Sequence, residues 1–272
     1  MDFSAAAYLM LRRPTTGRFL CALLVVVMMT GCRFVSSAGL PQDRLAGFPR
    51  LILWAWERPE DLEFLGSRDV AVAYLAQTLT LRADNVVYQP RRQPLKVSPN
   101  TKLMAVTRIE SRKTTGEPVT LDDGQRERLV NLILKSLEAK NVAAVQIDFD
   151  AVVSEREFYR KLLQDVRQRL PEGMPLSMTA LASFCVGDRW INDLPVDEAV
   201  PMIFQMGADD HVIKEYLSNG HDFRVPLCQR SYGIDLDEQL MINFDTSRRI
   251  YAFNDRHWTE NSVDLLLQRI SK

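Results

Sequence analysis

The sequence predicts one α/β domain, a single irregular (β/α)8 TIM barrel. Three observations predict it: eight short apolar runs of strand character, helical patterns between several of them, and a length that suits one barrel of roughly 250 residues. Strands that alternate with helices are joined by parallel crossovers, which close on themselves at this size. The predicted strands are Leu51–Trp56, Val70–Leu81, Lys102–Glu110, Val142–Asp150, Leu176–Phe184, Ala199–Met206, Pro226–Tyr232 and Arg249–Asn254.

Helical patterns fill several of the gaps between these strands. The clearest pattern opens with a capping box at Ser154 and Glu157, and its apolar residues recur every three or four positions until Pro171 ends it. Similar patterns predict helices over Asp122–Lys140 and Thr259–Ile270. Strand and helix therefore alternate as a barrel requires.

Three segments depart from a regular barrel. Residues 82–101 contain prolines between β-rich halves, which predicts that a β-ribbon insertion replaces the helix after strand 2. The segments after Cys185 and after Tyr232 lack helical periodicity, so we expect reduced helices there. The closest rival, an open doubly wound sheet, lacks a glycine-rich phosphate loop in this sequence.

Composition places the chain among globular proteins. Of its 272 residues, 46% are hydrophobic and 25% charged, and the formal net charge is −1. No basic excess is available to neutralise phosphates, so nucleic acid is not an expected partner.

The N-terminal residues resemble an export signal. Three arginines precede an uncharged apolar run, Phe19–Met29, which is followed by Gly31 and Cys32. The run is short for a membrane span, and small residues before a cysteine resemble the bacterial lipobox, in which that cysteine is lipidated after cleavage. The alternative is a chance cysteine after a single anchoring helix.

The lipobox interpretation sets the domain boundaries and the expected location. Residues 1–31 are then a lipoprotein signal peptide, residues 32–48 a lipid-anchored linker and residues 49–272 the barrel domain. The anchor makes the membrane a partner of the chain. Arg33 stands where an inner-membrane sorting aspartate would be, so we expect an outer-membrane lipoprotein that faces the periplasm.

Export also bears on the cysteines of the barrel domain. Cys21 leaves with the signal peptide and Cys32 carries lipid, so only Cys185 and Cys228 remain. An exported pair predicts one disulfide, which would stiffen the mouth of the barrel. Two buried free thiols are the alternative.

The strongest candidates for chemistry are two aspartates at the end of the fourth predicted strand, VAAVQIDFDA. Alternate side chains of a strand share a face, so Gln146, Asp148 and Asp150 point one way and Ile147 and Phe149 the other. Active sites of such barrels lie at the C-terminal ends of the strands, which places both aspartates at the mouth. Their repulsion should separate their pKa values, as general acid and base catalysis requires. The structural alternative is that they cap helices or bind Arg108.

This strand also carries a family resemblance. VQIDFDA resembles the Asp-x-Asp-x-Glu strand of the chitinase-like glycoside hydrolases. The stretches QIDFDAVVSEREFYRKLL, PLSMTALASFC and LPVDEAVPMIFQMG resemble an uncharacterised family of bacterial lipoproteins with the same barrel. The resemblance implies a carbohydrate polymer or oligosaccharide as the ligand. The proton donor of the chitinases is a glutamate two residues after the second aspartate, and Val152 occupies that position here.

Neighbouring strands offer further candidates. Glu110 and Arg108 share a face on the third strand, where Glu110 is a candidate for the missing acid and Arg108 for holding a carboxylate ionised; a structural salt bridge is equally consistent with the pair. Trp54 and Trp56 share a face on the first strand and are candidate stacking surfaces for sugar rings, with core packing as the alternative. Candidate hydrogen-bonding amides are Gln146, Gln205 and Gln229.

Other kinds of site have less support. The sequence NDRHW, residues 254–258, follows the eighth strand and is expected to frame the same mouth. The histidines show no metal-ligand spacing, although ADDH, residues 208–211, would suit a metal if a distant ligand joined it. No serine or cysteine lies in a nucleophile motif, and we expect no metal and no cofactor.

Two functions of different class remain. One is a cell-envelope glycoside hydrolase in which Asp148, Asp150 and Glu110 act as acid, base or stabiliser. The other is a barrel without catalysis that binds a glycan or a partner protein, which Val152 favours.

Overall fold

A computed structural model describes residues 43–66, 68–112, 118–238 and 242–270 of the chain. Within these ranges lie eleven strands: β1 (Leu51–Ala55), β2 (Glu60–Leu62), β3 (Val70–Arg82), β4 (Asn85–Pro90), β5 (Leu95–Val97), β6 (Leu103–Ser111), β7 (Val142–Asp148), β8 (Leu176–Leu181), β9 (Glu198–Met202), β10 (Ser231–Asp235) and β11 (Arg249–Phe253). The same ranges contain four α-helices: α1 (Asp123–Lys135), α2 (Arg156–Arg169), α3 (Asp210–Ser218) and α4 (Glu260–Ile270).

Eight of the strands form a closed parallel barrel, as predicted. Their order around the barrel is β1, β3, β6, β7, β8, β9, β10 and β11, and β11 pairs in parallel with β1 to close the ring. The contact between β9 and β10 is the weakest, with the single register pair Met202 and Gly233. All C-terminal strand ends therefore lie at one end of the barrel, which we call the mouth.

The irregularities also lie where the sequence predicts them. After β3 the chain turns back as β4, antiparallel to β3, and β5 then pairs with β2 in a small separate sheet, so a β-ribbon takes the place of a helix. After β8 the helical segment is one π-helical turn, Phe184–Asp188. In the described residues between β10 and β11 there is no helix.

Several sequence predictions of element bounds are wrong. The strand predicted over Pro226–Tyr232 is a 3-10 helix, Pro226–Arg230, and the true strand β10 begins at Ser231. The strands predicted to reach Phe184 and Met206 end at Leu181 and Met202.

The capping box before α2 is also misplaced in the sequence prediction. The backbone N–H of Val152 donates to Oε2 of Glu155 at 3.0 Å, two positions earlier than the predicted Ser154 and Glu157. A 3-10 turn, Val153–Glu155, precedes the α-helix and shifts its start.

Alternation along the strands divides the apolar residues into two layers. Val145, Ile147 and Phe149 pack outside the barrel against the helices, and Ala144 packs inside it. The inner layer is smaller; its fully or nearly fully buried members are Leu45, Ile52, Trp54, Ala71, Ala73, Met104, Val106, Ala144, Val200 and Tyr251. The predicted facing of β7 is therefore correct, with Gln146 and Asp148 directed inward.

The two cysteines of the barrel domain form a disulfide. Their Cα atoms are 5.8 Å apart, and the bond joins the π-helical turn after β8 to the 3-10 helix before β10. Both Cys185 and Cys228 are fully buried in the outer apolar layer. Cys185 follows the cavity-lining Ser183 by two residues, so the bond ties the segment at the mouth after β8 to the segment before β10, and its stiffening of the mouth stays a prediction.

The end opposite to the mouth is closed by residues 43–48. Leu45 is fully buried in the inner layer, and Asp43 forms a 3.1 Å ion pair with Arg249 at the start of β11. Arg249 also pairs with Glu198 at 3.0 Å, and Tyr251 donates a hydrogen bond to Glu198. This part of the predicted linker therefore packs as part of the barrel.

Among the residues that the structure describes, no helix combines the length and the apolar content needed to cross a bilayer. The predicted signal peptide and Cys32 lie outside the described residues.

Candidate active site

A cavity of about 270 Å³ opens at the mouth of the barrel. Its walls come from the C-terminal ends of β1, β6, β7, β8, β9 and β11 and from the segments that follow them. Six of the site residues predicted from sequence line the cavity: Trp54, Trp56, Arg108, Asp148, Asp150 and Gln205. This is the end of the fold at which barrel enzymes carry their active sites.

The deepest ionisable group in the cavity is Asp148. Its side chain is held inward by the alternation of β7, and the residue is only 8% exposed. Oγ1 of Thr179 on β8 donates to Oδ1 of Asp148 at 2.7 Å, and Oδ2 accepts no hydrogen bond from any described residue. Burial raises the pKa of Asp148 to about 6; the hydrogen bond from Thr179 opposes this shift and the charge of Asp150 adds to it. The carboxyl group is thus suited to hold a proton on its free oxygen.

Asp150 lies nearer to solvent, just beyond the end of β7. Burial raises its pKa, and the positive charge of Arg108 opposes that shift. Burial is thus the main reason why the affinity of Asp148 for a proton is raised, whereas the sequence prediction relied on repulsion between the two aspartates alone. The pair nevertheless has the arrangement that acid and base catalysis needs, one protected carboxyl beside an accessible one.

Glu110 does not line the cavity. Nε of Arg108 lies 3.2 Å from Oε1 of Glu110, and Arg112 lies 3.8 Å from the other oxygen. Glu110 lines an adjoining hollow, which also borders Arg108, Asp148 and Asp150. Its observed contacts are those of the structural salt bridge considered above.

The opposite wall of the cavity is aromatic. Phe204 and Phe253 stack face to face with ring centroids 5.7 Å apart, and each contacts a tryptophan: Trp54 at 6.2 Å from Phe204, and Trp56 at 6.2 Å from Phe253. We call these four side chains the aromatic wall. Sugar rings present apolar C–H faces, for which an aromatic surface is a suitable contact.

Trp54 is fixed from below and from the side. Its Nε1–H donates to Oε1 of Gln146 at 2.8 Å, and Gln146 donates to Ser177 at 3.1 Å. A Cβ atom at Gly233 would lie 3.2 Å from Cη2 of Trp54 and 3.0 Å from the carbonyl oxygen of Pro201, so a larger residue at that point of β10 would crowd the indole. Gln146 is fully buried, so its amide orients Trp54 and does not reach a ligand.

The two remaining glutamines have different positions. Gln205 follows β9, is exposed and lines the cavity with a backbone φ of 50°, a left-handed conformation that is unusual for a residue other than glycine. Its backbone N–H donates to Glu238 at 2.9 Å, which helps to hold this conformation. Gln229 lies in the 3-10 helix before β10, at the far end of the barrel, and donates to the carbonyl oxygen of Phe223. Gln229 does not line the cavity, because the predicted strand start is Pro226 whereas β10 begins five residues later, at Ser231.

The NDRHW segment supports the mouth from outside. Trp258 is 3% exposed, and its Nε1–H donates to the carbonyl oxygen of Trp54 at 2.9 Å. His257 is exposed near Glu60, and neither residue lines the cavity. His211 of the ADDH stretch is exposed on α3, and within the described ranges no three His, Cys, Asp or Glu side chains are grouped to hold a metal ion.

Several cavity residues were not singled out from sequence. Phe204, Phe253 and Thr179 face inward, and each carries the parity of its strand as a signal: Thr179 alternates with the inward Ser177, and Phe253 with the inward Tyr251. Asp209, the last residue of the 3-10 turn before α3, also lines the cavity; the sequence analysis considered it only within the ADDH stretch, as part of a metal site.

Comparison with known proteins gives a limited result. No family model matches the chain, and no curated protein matches it. One solved structure that is similar is the spore cortex-lytic enzyme SleL of Bacillus cereus, with a TM-score of 0.47 and 17% sequence identity over 68% of this chain. The aligned region is 51% of that enzyme, so the chain spans about half its length.

Proposed function

We propose that this protein is a glycoside hydrolase that acts on a polysaccharide or oligosaccharide. The observation that carries the proposal is the pairing of two walls across one cavity, carboxyl groups on β7 and aromatic rings from β1, β9 and β11. A sugar ring stacked on the aromatic wall would place its glycosidic bond beside Asp148 and Asp150. Most glycoside hydrolases use two carboxyl groups at the bond that they cleave.

The environments of the two aspartates assign their roles. Asp148 donates a proton from Oδ2 to the glycosidic oxygen as the bond between that oxygen and the anomeric carbon breaks. Water attacks the anomeric carbon, and Asp150 accepts the proton that this water loses. Arg108 favours the ionised form of Asp150, as a base requires.

The test is a turnover assay with matched variants. The full chain is incubated with soluble glucans, chitin oligosaccharides and peptidoglycan fragments, and new reducing ends are measured. Asp148→Asn and Asp150→Asn should each lower turnover by roughly 10²–10⁴-fold, because each removes a proton-transfer group, and both proteins should stay folded. Asp193→Asn removes an exposed carboxylate outside the cavity and should leave turnover unchanged. Equal activity of all three variants would refute the assignment.

A second candidate is a barrel that binds glycan without cleaving it. Val152 occupies the position of the chitinase acid and is 47% exposed, and the nearest following carboxylate, Glu155, accepts the backbone N–H of Val152. For such a barrel, Asp150→Asn would weaken glycan binding in calorimetry while no substrate yields reducing ends. If Asp150→Asn unfolds the protein, the aspartates are structural and neither candidate stands.

For the location of the protein, the proposal is a lipid-anchored protein of the bacterial cell envelope, at the outer membrane and facing the periplasm. Support comes from the apolar run Phe19–Met29, the following Gly31 and Cys32, and Arg33 in the sorting position. Cys32→Ser should abolish processing and move the protein from the membrane fraction to the soluble fraction. Unchanged processing and fractionation would refute the anchor.

A further inference from the structure

The ionisable residues that line the cavity and the adjoining hollow are mostly acidic. In the described part of the chain, the cation among them is Arg108, and the acids are Asp148, Asp150, Asp209, Glu110 and Glu155. The cavity therefore carries an excess of negative charge, which attracts cationic ligands and repels anionic ones.

Arg108 is poorly placed to reverse this preference. Its guanidinium forms the 3.2 Å ion pair with Glu110 and lies 5.8 Å from the ring centroid of Trp56. An anionic sugar that approached it would have to compete with Glu110 and would also face Asp148 and Asp150. The guanidinium of Arg108 is thus already paired within the protein.

The carboxylates in the cavity itself lack such partners. Asp148, Asp150 and Asp209 form no ion pair within 4.0 Å with any described residue. Asp148 is more than nine-tenths buried and lines the cavity, and the one hydrogen bond that its side chain accepts from the described residues comes from Thr179. Carboxylates without a cationic partner can accept hydrogen bonds from a ligand.

The aromatic wall supplies a second preference of the same sign. The rings of Trp56, Phe204 and Phe253 line the cavity, and the face of an aromatic ring carries the negative part of its quadrupole, which attracts ammonium groups as well as apolar C–H groups. Aromatic faces on one side and unpaired carboxylates on the other together suit a ring that bears a positive charge.

We propose that the substrate is a cationic glycan, in which at least one sugar unit bound in the cavity carries a free, protonated amino group, as in de-N-acetylated hexosamine polymers. This inference rests on the proposed function and names its substrate class. The ammonium group donates hydrogen bonds to the carboxylates of Asp150 and Asp209, and Asp209, at the rim, strengthens binding without taking part in proton transfer. An N-acetylated sugar retains the stacking contacts and loses the charged ones.

The test compares three six-unit oligomers on the full chain: glucosamine, N-acetylglucosamine and galacturonic acid. Binding is measured by calorimetry at about pH 5.5, which lies below the pKa of an amino-sugar amine, so that most of the amines are protonated. The glucosamine oligomer should bind about tenfold or more tighter than the N-acetylated one, a difference that shrinks with added salt, and the galacturonate oligomer should bind weakest.

Variants locate the effect. Asp209→Asn should weaken binding of the glucosamine oligomer about five- to tenfold and leave the N-acetylated oligomer within about twofold. The matched control Asp193→Asn should change neither. Equal affinity of the charged and acetylated oligomers, tighter binding of the uronate, or an unchanged affinity in Asp209→Asn would each overturn the cationic substrate while leaving a glycan-cleaving barrel intact. If no oligomer binds and no glycan of the turnover panel is cleaved, the proposed function falls together with this inference.

Discussion

Two carboxyl groups inside the same barrel, Glu198 and Asp148, have opposite surroundings. Glu198, at the start of β9, is fully buried and receives an ion pair from Arg249 and a hydrogen bond from Tyr251. Asp148, at the end of β7, is almost as buried but receives one hydrogen bond, from Thr179.

The difference separates a structural acid from a candidate catalytic one. Breaking a buried, well-paired charge removes stability, because the remaining partner stays desolvated. A buried carboxyl group with few partners instead holds its proton more tightly, and it lowers the stability of the folded state at any pH at which it must ionise. Such an arrangement persists only where it serves a use other than stability.

The largest expected effect concerns the ion pair between Arg249 and Glu198. Arg249→Met leaves Glu198 buried without its cation and should lower the free energy of unfolding by about 3–5 kcal/mol, measured by urea denaturation. The double variant Arg249→Met with Glu198→Gln should recover much of this loss, because it removes the uncompensated charge and keeps an acceptor for Tyr251. If the double variant is as unstable as the single one, packing of the arginine and not its charge explains the loss.

The second effect has the opposite sign and depends on pH. The folded pKa of Asp148, about 6, lies above the unfolded value of about 3.9, so its contribution to stability falls as pH rises between these values. Asp148→Asn should therefore raise the free energy of unfolding by about 2–3 kcal/mol near pH 7.5 and change it little at or below about pH 4. Thermal melts at both pH values measure this, with Asp193→Asn as the control. A loss of stability at neutral pH would place Asp148 in the same class as Glu198.

The third effect concerns the single partner of Asp148. Thr179→Val removes the hydrogen bond that lowers the pKa of Asp148, so this pKa should rise further, by an amount that corresponds to about 1 kcal/mol. With Asp148 as the acid, the alkaline limb of the pH–turnover profile should move to higher pH. The matched control is Thr101→Val, a buried threonine away from the cavity whose side chain forms no hydrogen bond with the described residues. An unmoved limb would mean that another group limits activity at high pH.

The smallest effect concerns the backbone at the mouth. Gln205 has a left-handed backbone conformation, which costs about 1–2 kcal/mol for a residue with a side chain. Glycine avoids this cost, but part of the gain in stability is lost because glycine has more conformational freedom in the unfolded chain. Gln205→Gly should therefore stabilise the protein by about 0.5–1 kcal/mol and weaken glycan binding, since it removes a side chain from the cavity. A destabilised variant would show that the contacts of the Gln205 side chain stabilise the protein by more than its backbone strain costs.

Much of the fold could be predicted from local patterns. The strand positions, the ribbon after β3 and the facing of Asp148 follow from alternation and from proline placement. The bounds of β10 could not be predicted because Gly233 is unfavourable in a strand by itself, and its close contacts, with Pro201 and Trp54, come from other strands. Gln229 was misplaced for the same reason.

The site was harder to predict because its parts are distant in the sequence. The aromatic wall combines β1 with β9 and β11, and the contact of Trp54 with Phe204 depends on barrel closure. The pairing of Glu198 with Arg249 likewise joins residues 51 positions apart. Local patterns state which way a side chain points, whereas its partner is fixed by the packing of the whole barrel.

The closure of the barrel by residues 43–48 determines how a mechanical load would reach the domain. The chain enters at the end opposite to the mouth, held there by Leu45 and by the ion pair of Asp43 with Arg249. With a lipid on Cys32, eleven residues before Asp43, the tether would reach at most about 35–40 Å. Tension on that tether would pull on the closed end, and the cavity would remain free to meet long polymers that approach from the other side.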